Sequence, residues 1–273
     1  MIRKLTSLQA CLDFIDALNS DPAFSDPMLS TSEQIEVNLF NAVRKPNDHV
    51  LGVYRDSGAL IGLFVFLILP EERYIEMIVG LSHDTEAYEE IAGWLQNHYP
   101  GFQADFVFNP ANILLRALLE RKGAVFDAEQ EKMVFSGPPP SVDDAGIELL
   151  SERYMPQYLA MHSTGVYWTG EKVAAAPERF RVLLAVEDGT VVGYLDVTHC
   201  YEENEPYSLQ VLAAYRRRGW GRKLLAKALE LNRPKGMMLL VDVGDAPTIR
   251  LYESAGFVKV EGQNSLTATW QIP

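Results

Sequence analysis

Apolar and polar residues alternate along this chain with two different periods that follow each other in a regular order. Alternation at every second position predicts strands, and apolar residues three and four positions apart predict helices. Two pairs of apolar runs joined by short polar turns predict β-hairpins, namely Val50–Tyr54 with Ala59–Leu69 and Val182–Val186 with Val191–Val197. A strand, a helix, a strand and a helix are predicted after each hairpin: Tyr74–Val79, Thr85–Tyr99, Phe102–Phe108 and Ala111–Lys122, then Tyr207–Leu212, Gly221–Asn232, Met237–Val243 and Ala246–Ala255.

The two halves follow one plan, which predicts an internal duplication. Gly62 and Gly193 are 131 positions apart, and Gly123 and Gly256 are 133 positions apart. Between the halves, Ser136–Gly146 contains three consecutive prolines, which lack amide donors and therefore indicate a linker. We expect a first domain at residues 1–136, a Pro-rich linker at 137–146 and a second domain at 147–273.

The composition limits the class of function. The 273 residues are 48% hydrophobic and 22% charged, which is typical of folded proteins. A formal net charge of −13 makes nucleic acid or an anionic membrane surface an unexpected partner. Two cysteines, Cys11 and Cys200, form no disulfide framework, and the longest apolar run, Ala59–Leu69, is too short to span a bilayer. We expect a soluble, cytoplasmic protein whose first 21 residues resemble an amphipathic helix and not a signal peptide.

One local motif carries the strongest chemical signal. The predicted strand Tyr207–Leu212 leads into a basic turn, Arg216-Arg217-Arg218-Gly219-Trp220-Gly221-Arg222-Lys223, at the start of a predicted helix. Cations are unfavourable there because the helix dipole is positive at its N-terminus. An anion would resolve this conflict, since helix amides, glycine backbone and arginine side chains together form a phosphate cradle. A solvated basic turn is the alternative; neither a P-loop nor a complete dinucleotide-binding glycine motif is present.

Together with a second block, this motif resembles the GNAT family of acyl-CoA-dependent N-acyltransferases. The family's strand valine and Arg/Gln-x-x-Gly-x-Gly/Ala correspond to Val211 and Arg216-x-x-Gly219-x-Gly221. Its second block, Asn-x-x-Ala-x-x-Leu-Tyr-x-x-x-Gly-Phe, corresponds to Asp245-x-x-Thr248-x-x-Leu251-Tyr252-x-x-x-Gly256-Phe257. The resemblance covers residues 147–273 well and the first half in outline only. It implies a mixed α/β fold class: two tandem GNAT-like domains, each with a largely antiparallel sheet flanked by helices.

The resemblance also implies how the acyl donor, acetyl-CoA, is held, without a metal. The strand Leu209–Val211 would pair with the pantetheine arm as if with an added strand, and the next strand, Met237–Val243, would splay away there. An amide near Val211 would polarise the thioester carbonyl. The expected cofactor-binding residues are Leu209, Gln210, Val211, Arg216, Arg217, Arg218, Gly219, Trp220, Gly221, Arg222, Asp245 and Thr248.

The same resemblance implies two catalytic residues. Tyr252 is at the position of the general acid that protonates the departing thiolate; a core tyrosine is the alternative. Glu205, near the start of the same strand, is the candidate general base, with a surface acid as the alternative. His199 and Asp196 are further candidates for the base.

Two positions depart from the family pattern. Asp245 replaces the usual Asn, so a hydrogen-bond donor toward the CoA arm is lost and a negative charge is gained. Thr248 replaces a small Ala where the helix packs close to the cofactor. We expect either change to weaken binding without abolishing it.

The first half keeps the element order and loses the motif. Alignment of the halves puts Asp84, Ala87 and Glu89 at three positions of the basic turn, and Leu119 at the position of Tyr252. Acids there would repel a pyrophosphate, and no general acid remains. We therefore expect residues 1–136 to be a degenerate GNAT-like domain and residues 147–273 to be the catalytic one.

The acceptor is expected to be a small-molecule amine or an amino-acid-like molecule. By the resemblance, the first two helices of the domain and the loop between them contact it. Candidate acceptor-binding residues are Tyr167 and Trp168, as an aromatic pocket wall or alternatively a hydrophobic plug, and His199. A monomer is favoured over a homodimer. The alternative functions are a catalytically inactive CoA-binding or regulatory module and an unrelated α/β protein whose basic turn binds another phosphate ligand.

Overall fold

The chain folds into two compact units. A computed structural model describes residues 1–138, 140–141, 143–162 and 168–273. The first unit consists of Met1–Glu131 and Glu261–Pro273, and the second consists of Lys132–Val260. None of the helices in the described ranges is long and apolar enough to cross a membrane.

Residues 1–135 begin with a strand, in contrast to the helix expected over the first 21 residues. Ile2 lies opposite Val53 on the edge of a neighbouring strand, which provides backbone hydrogen-bond partners, and the first α-helix begins only at Leu12. The strands are β1 (Ile2–Lys4), β2 (Asp48–Tyr54), β3 (Leu60–Leu69), β4 (Tyr74–Leu81), β5 (Gln103–Phe108), β6 (Val125–Phe126) and β7 (Gln130–Phe135). The α-helices are α1 (Leu12–Asn19), α2 (Ser32–Ile35), α3 (Thr85–His98) and α4 (Ile113–Arg121).

Residues 147–273 repeat this order of elements, as the sequence offset predicts. The strands are β8 (Ile147–Leu149), β9 (Phe180–Glu187), β10 (Thr190–Thr198), β11 (Glu203–Asn204), β12 (Pro206–Val211), β13 (Gly236–Asp242), β14 (Phe257–Lys259) and β15 (Leu266–Gln271). The α-helices are α5 (Met155–Met161), α6 (Gly170–Ala174), α7 (Trp220–Asn232) and α8 (Ala246–Ser254). Both predicted hairpins, β2–β3 and β9–β10, are confirmed as antiparallel pairs.

The sheet of the first unit includes a strand from the end of the chain. Its order is β1-β2-β3-β4-β5-β15-β6, and β4 with β5 is a parallel pair. β15 runs antiparallel to β5, with Trp270 opposite Ala104, and antiparallel to β6 on its other side. Trp270 is 2% exposed and belongs to the core that α3 and α4 cover.

The second unit in turn contains a strand from the first half. Its strands form two ladders, β12-β10-β9-β8 and β11-β13-β7-β14, and Phe135 on β7 lies opposite Phe257. Met133 on β7 is buried in this unit's core. The division expected at the Pro-rich segment therefore differs from the structure, since residues 132–136 pack in the second unit and 261–273 in the first. Each exchanged strand completes a sheet and buries apolar side chains there.

Both faces of the β8–β10 sheet are buried. Along β9, Leu183 and Ala185 join the core that contains α7 and α8. Val182 and Leu184 point the other way, into a core that contains α5 and α6. This alternation follows from the two-residue period of a strand. It divides the side chains of this unit between two separate cores, one on each face of the sheet.

Candidate functional site

The second unit has an interrupted sheet between β12 and β13. The chain runs parallel to β13 at Glu203 and Asn204, which lie opposite Gly236 and Met237. Beyond this point β12 pairs with β10 alone in its ladder, whereas β13 pairs with β11 and β7. The predicted separation of these two strands is therefore present, and it leaves one edge of β12 open as far as the described residues are concerned.

The register of β12 decides which backbone groups face this open edge. Leu212 donates its N–H to the carbonyl oxygen of Val192 at 2.9 Å, so alternate residues toward the start of β12 also face β10. Gln210 is one of these, and its side-chain oxygen lies 3.4 Å from the hydroxyl group of Tyr194. Gln210 is therefore turned away from the edge that it was expected to share. The N–H and C=O groups of the residues on either side of it, Leu209 and Val211, point outward.

The basic turn opens α7 with a glycine cap. Gly219 has φ 88° and ψ −4°, a left-handed conformation that favours glycine, and it provides no side chain to accept from the first helical amides. The first intrahelical bond runs from Lys223 N–H to Gly219 O at 3.0 Å. A Cβ atom at Gly219 would meet no atom within 4 Å. Glycine is thus required by the backbone conformation, and the space in front of the helix amides is open.

The cations of the basic turn differ in their partners. Arg218 forms an ion pair of 2.6 Å with Glu187, and Arg216 Nε donates to Val211 O at 3.0 Å. Arg217 and Arg222 are exposed, and neither forms an ion pair with a residue in the described ranges. These two guanidinium groups are therefore the ones placed to bind an external anion.

Close packing brings three of the expected binding elements together. A Cβ atom at Gly221 would lie 3.4 Å from Leu251 Cδ2 and 4.0 Å from Leu209 Cδ2. Gly221 thus joins the start of α7 to α8 and to β12. Asp245 caps α8, because its Oδ1 atom accepts a hydrogen bond of 3.2 Å from Thr248 N–H. An aspartate performs this capping as well as an asparagine does, which explains how the departure from the family pattern is tolerated.

Tyr252 lies on α8 and is 7% exposed. Its ring packs edge-on against Phe257 at 5.8 Å. Burial, followed by the negative charges of Glu205 and Asp245, raises the pKa of Tyr252 to about 12. The phenol therefore keeps its proton at neutral pH, as a proton donor must.

Glu205 lies immediately before β12 and is half-buried. Burial raises the pKa of Glu205 to about 7, although the positive charges of Arg179 and Lys132 oppose this shift. Its N–H donates to Thr198 Oγ1 at 2.7 Å, and its carbonyl oxygen accepts from Thr198 N–H at 2.9 Å, which fixes the backbone. A carboxyl group with this pKa changes protonation state readily near pH 7.

The other two candidates for the base are engaged elsewhere. Asp196 is completely buried and accepts a hydrogen bond of 2.9 Å from Tyr158, while His162 Nε2 lies 2.8 Å from its second carboxylate oxygen. Burial raises the pKa of Asp196, and these hydrogen bonds oppose the shift. His199 Nε2 lies 2.9 Å from the carbonyl oxygen of Pro177. Of these three candidates, only Glu205 contributes to the raised pKa of Tyr252.

Arg179 is a feature of the site that no sequence motif marks. Its guanidinium group lies 4.7 Å from the ring centroid of Trp168, 5.5 Å from that of Phe180 and 5.6 Å from that of Tyr201. The sequence offered one indication of this position, because Trp168, which is predicted as part of an aromatic pocket wall, stacks with Arg179. Tyr167 lies outside the described residues.

In the first unit, the edge of β4 that corresponds to the open edge of β12 is hydrogen-bonded to a residue of the same unit. β4 pairs with β5 only as far as Met77 opposite Phe106. Beyond that point, Gly80 N–H donates to Asp26 Oδ2 at 2.7 Å. Asn109, just after β5, donates to the carbonyl oxygen of Pro22 at 2.9 Å. The segment 22–26 therefore bonds to the backbone of β4 and to the side chain of Asn109 after the two strands separate, where the second unit has an open edge.

The residues that replace the basic turn in the first unit are used internally. Asp84 caps α3 and forms an ion pair with Arg55. Glu89 forms an ion pair with Arg121. Leu119 is fully buried in the apolar core. These side chains stabilise the unit and provide no cation for a phosphate.

Residues 147–257 match the model of the acetyltransferase (GNAT) family. No curated protein sequence matches the chain. Similar solved structures include a GCN5-related N-acetyltransferase from Sphaerobacter thermophilus, with TM-score 0.67 and 14% identity, covering 100% of this chain and 95% of that one. A tandem GNAT protein from the clavulanic acid biosynthesis pathway has TM-score 0.61 and 13% identity, with coverage of 100% and 98%. At such identities the structural likeness concerns the fold: a tandem arrangement of two GNAT-like units.

Proposed function

Because residues 147–257 match the model of the GNAT acetyltransferase family, we propose that the second unit transfers an acetyl group from acetyl-CoA to the amino group of a small molecule. One observation carries the proposal: an open strand edge, Leu209 to Val211, runs into a helix N-terminus capped only by Gly219. We further propose one such site per chain, because the corresponding edge of the first unit is bonded to Asp26.

The residues present fit CoA. The outward N–H and C=O groups of Leu209 can pair with the amides of a pantetheine arm as with an added strand, which leaves the N–H of Val211 for the thioester carbonyl. The amides of the first turn of α7, together with Arg217 and Arg222, match the charge of a pyrophosphate. Gly219 leaves room for that group, since no side chain covers the turn.

The side chains at this edge provide the proton transfers that the reaction needs. Acetyl-CoA supplies an acetyl group on a thioester. Glu205 removes one proton from the acceptor's ammonium group, and the nitrogen lone pair then forms a bond to the acetyl carbon. Val211 N–H stabilises the charge on the carbonyl oxygen. As the carbon–sulfur bond breaks, Tyr252 protonates the sulfur and regains a proton from the nitrogen; the proton on Glu205 passes to solvent.

A calorimetric titration with acetyl-CoA tests the donor site. We expect one site per chain, and we expect Gly219→Glu to abolish binding because it puts a strained backbone and a negative charge at the helix N-terminus. Gly93→Glu, on α3 of the first unit, introduces the same charge where a Cβ meets no atom within 4 Å, and it should bind normally. Two sites per chain would overturn the single-site proposal.

A thiol-release assay with a panel of amines tests the transfer. The expected result is CoA release that depends on both acceptor and acetyl-CoA. Tight binding of acetyl-CoA without release for any amine would favour the CoA-binding or regulatory module. Equal binding of adenine nucleotides that lack pantetheine would contradict the role of the β12 edge.

A further inference from the structure

Arg179 has an unsatisfied donor at the centre of an aromatic cluster. Its Nε atom is buried and has no hydrogen-bond partner among the residues that the structure describes. Buried donors are nearly always paired in folded proteins, and leaving one unpaired costs roughly 1–3 kcal/mol. The rings of Trp168, Phe180 and Tyr201 surround the guanidinium group and supply no acceptor for that N–H. This N–H group can therefore donate a hydrogen bond to an acceptor that comes from outside the chain.

No acid neutralises this guanidinium group. Arg179 forms no ion pair with a residue of the described ranges, in a chain with a formal net charge of −13. Its positive charge nevertheless reaches Glu205 and opposes the rise of that residue's pKa. No ion pair joins these two opposite charges within the described residues, so each is available to a ligand that carries both signs of charge.

We propose that Arg179 binds a carboxylate of the acceptor, so that the acceptor is an amino acid or an equivalent molecule with an amine and a carboxylate. The inference rests on the proposed function and names its substrate class. A carboxylate can accept from Nε–H and a neighbouring Nη–H at once, which is the bidentate geometry that guanidinium favours. The amine at the other end of the molecule then faces Glu205, which takes its proton.

The aromatic cluster adds to this recognition. Trp168 packs edge-on against Phe180 at 4.9 Å, and Phe180 packs in the same way against Tyr207 at 5.9 Å. A guanidinium group that stacks on a ring keeps its N–H edge free for a planar anion and loses little rotational freedom on binding. The cluster therefore holds Arg179 in position and excludes water from the charged contact.

Matched acceptor pairs test the proposal directly. The probes are the proteinogenic amino acids, their C-terminal amides and the corresponding decarboxylated amines, assayed with acetyl-CoA. For the wild-type enzyme we expect kcat/KM to be about 10- to 100-fold higher for at least one acid than for its amide, the range for a hydrogen bond to a charged group. Arg179→Gln should abolish that preference, mainly through KM. Because loss of its charge also raises the pKa of Glu205, the readout is the ratio of kcat/KM for an acid to that for its amide within each protein, which cancels any change at the base.

Two further variants separate recognition from folding. Arg179→Lys keeps the charge and loses the two-pronged geometry, so it should retain only part of the preference. Arg153→Gln removes another arginine that stacks on an aromatic ring, with its guanidinium carbon 4.9 Å from the centroid of Tyr154, and it should keep the full preference. Equal use of acids and amides by the wild type, or an unchanged preference in Arg179→Gln, would overturn the proposal.

A binding experiment distinguishes failure of this inference from failure of the proposed function. Saturation-transfer NMR with the same amino acids needs no acetyl-CoA. Binding of an acid to the wild type but not to Arg179→Gln would support the carboxylate site even if no transfer occurred. Transfer to amines together with no acid binding in either protein would remove the carboxylate site and leave the acyltransferase intact. Better binding of phosphorylated amines than of acids would also contradict a carboxylate.

Discussion

The carboxylate of Glu205 and the phenol of Tyr252 are linked by charge. Glu205 precedes β12 and Tyr252 lies on α8, and after burial the charge of Glu205 is the largest cause of the raised pKa of Tyr252. Loss of the proton from Glu205 therefore strengthens the hold of Tyr252 on its own proton. In one protonation state, with Glu205 ionised and Tyr252 neutral, the site has both a base and an acid.

The dependence of the rate on pH should follow Glu205. Its pKa of about 7 predicts that kcat rises with pH through this value, as the carboxyl group loses its proton, and then reaches a plateau, since Tyr252 keeps its proton up to about pH 12. Glu205→Gln should remove this acid limb and lower kcat by about 100-fold or more. Glu202→Gln, an exposed acid three residues earlier, should retain both. An acid limb that persists in Glu205→Gln would assign it to another group.

The same residue should lower stability above pH 7. A raised pKa means that the folded protein binds this proton more tightly than the unfolded chain does, so stability falls as pH rises from about 4.5 to about 7. Glu205→Gln removes the buried charge, and its melting temperature relative to wild type should therefore increase from pH 4 to pH 8. Thermal unfolding followed by circular dichroism measures this difference. A difference that stays constant with pH would contradict the raised pKa.

Replacement of Tyr252 should affect the chemical step and not the binding of the donor. Tyr252→Phe removes the proton for the departing sulfur, and because a thiolate is a good leaving group we expect a fall in kcat of only about 10- to 100-fold. The dissociation constant for acetyl-CoA, measured by calorimetry, should not change. Tyr154→Phe, at another buried tyrosine, is the matched control. Loss of stability in Tyr252→Phe with full activity would identify a purely structural tyrosine.

A substitution near the end of the chain should destabilise the first unit. Trp270→Ala leaves a cavity beside β5 in that unit's core, at a cost of about 3–5 kcal/mol. Hydrogen exchange should show lost protection in β5 while the β9–β10 hairpin keeps its own. Val125→Ala, on β6 in the same sheet and 71% exposed, should change little. Loss of protection first in the second unit would contradict the strand exchange.

Two substitutions separate the capping role of Asp245 from the effect of its negative charge. Asp245→Ala removes the acceptor for Thr248 N–H and should cost about 1 kcal/mol of unfolding free energy. Asp245→Asn keeps the cap and removes a negative charge that raises the pKa of Tyr252, so stability should be kept and that pKa should fall. Denaturant unfolding and spectroscopic titration of the tyrosine measure the two effects. Equal stability of both variants would exclude the capping role.

Local features of the structure could be read from the sequence. The two-residue alternation of Val182–Val186 and Val191–Val197 predicts a hairpin because strand periodicity and turn chemistry act over a few residues. The basic turn predicted a helix start at Gly221 for the same reason, one residue after the observed start of α7 at Trp220. The offset between the halves predicted the repeated order of elements. The GNAT resemblance likewise depended on two short blocks.

Only the tertiary structure decided which strands pair and which side chains lie close together. The exchange of β7 and β15 depends on which sheet each strand completes, and no local pattern records a partner more than a hundred residues away. The pKa of Glu205 depends on burial and on charges from Arg179 and Lys132, and the orphaned Nε atom of Arg179 depends on the side chains around it. Periodicity is a property of neighbours along the chain, whereas burial, charge coupling and strand pairing are properties of neighbours in space.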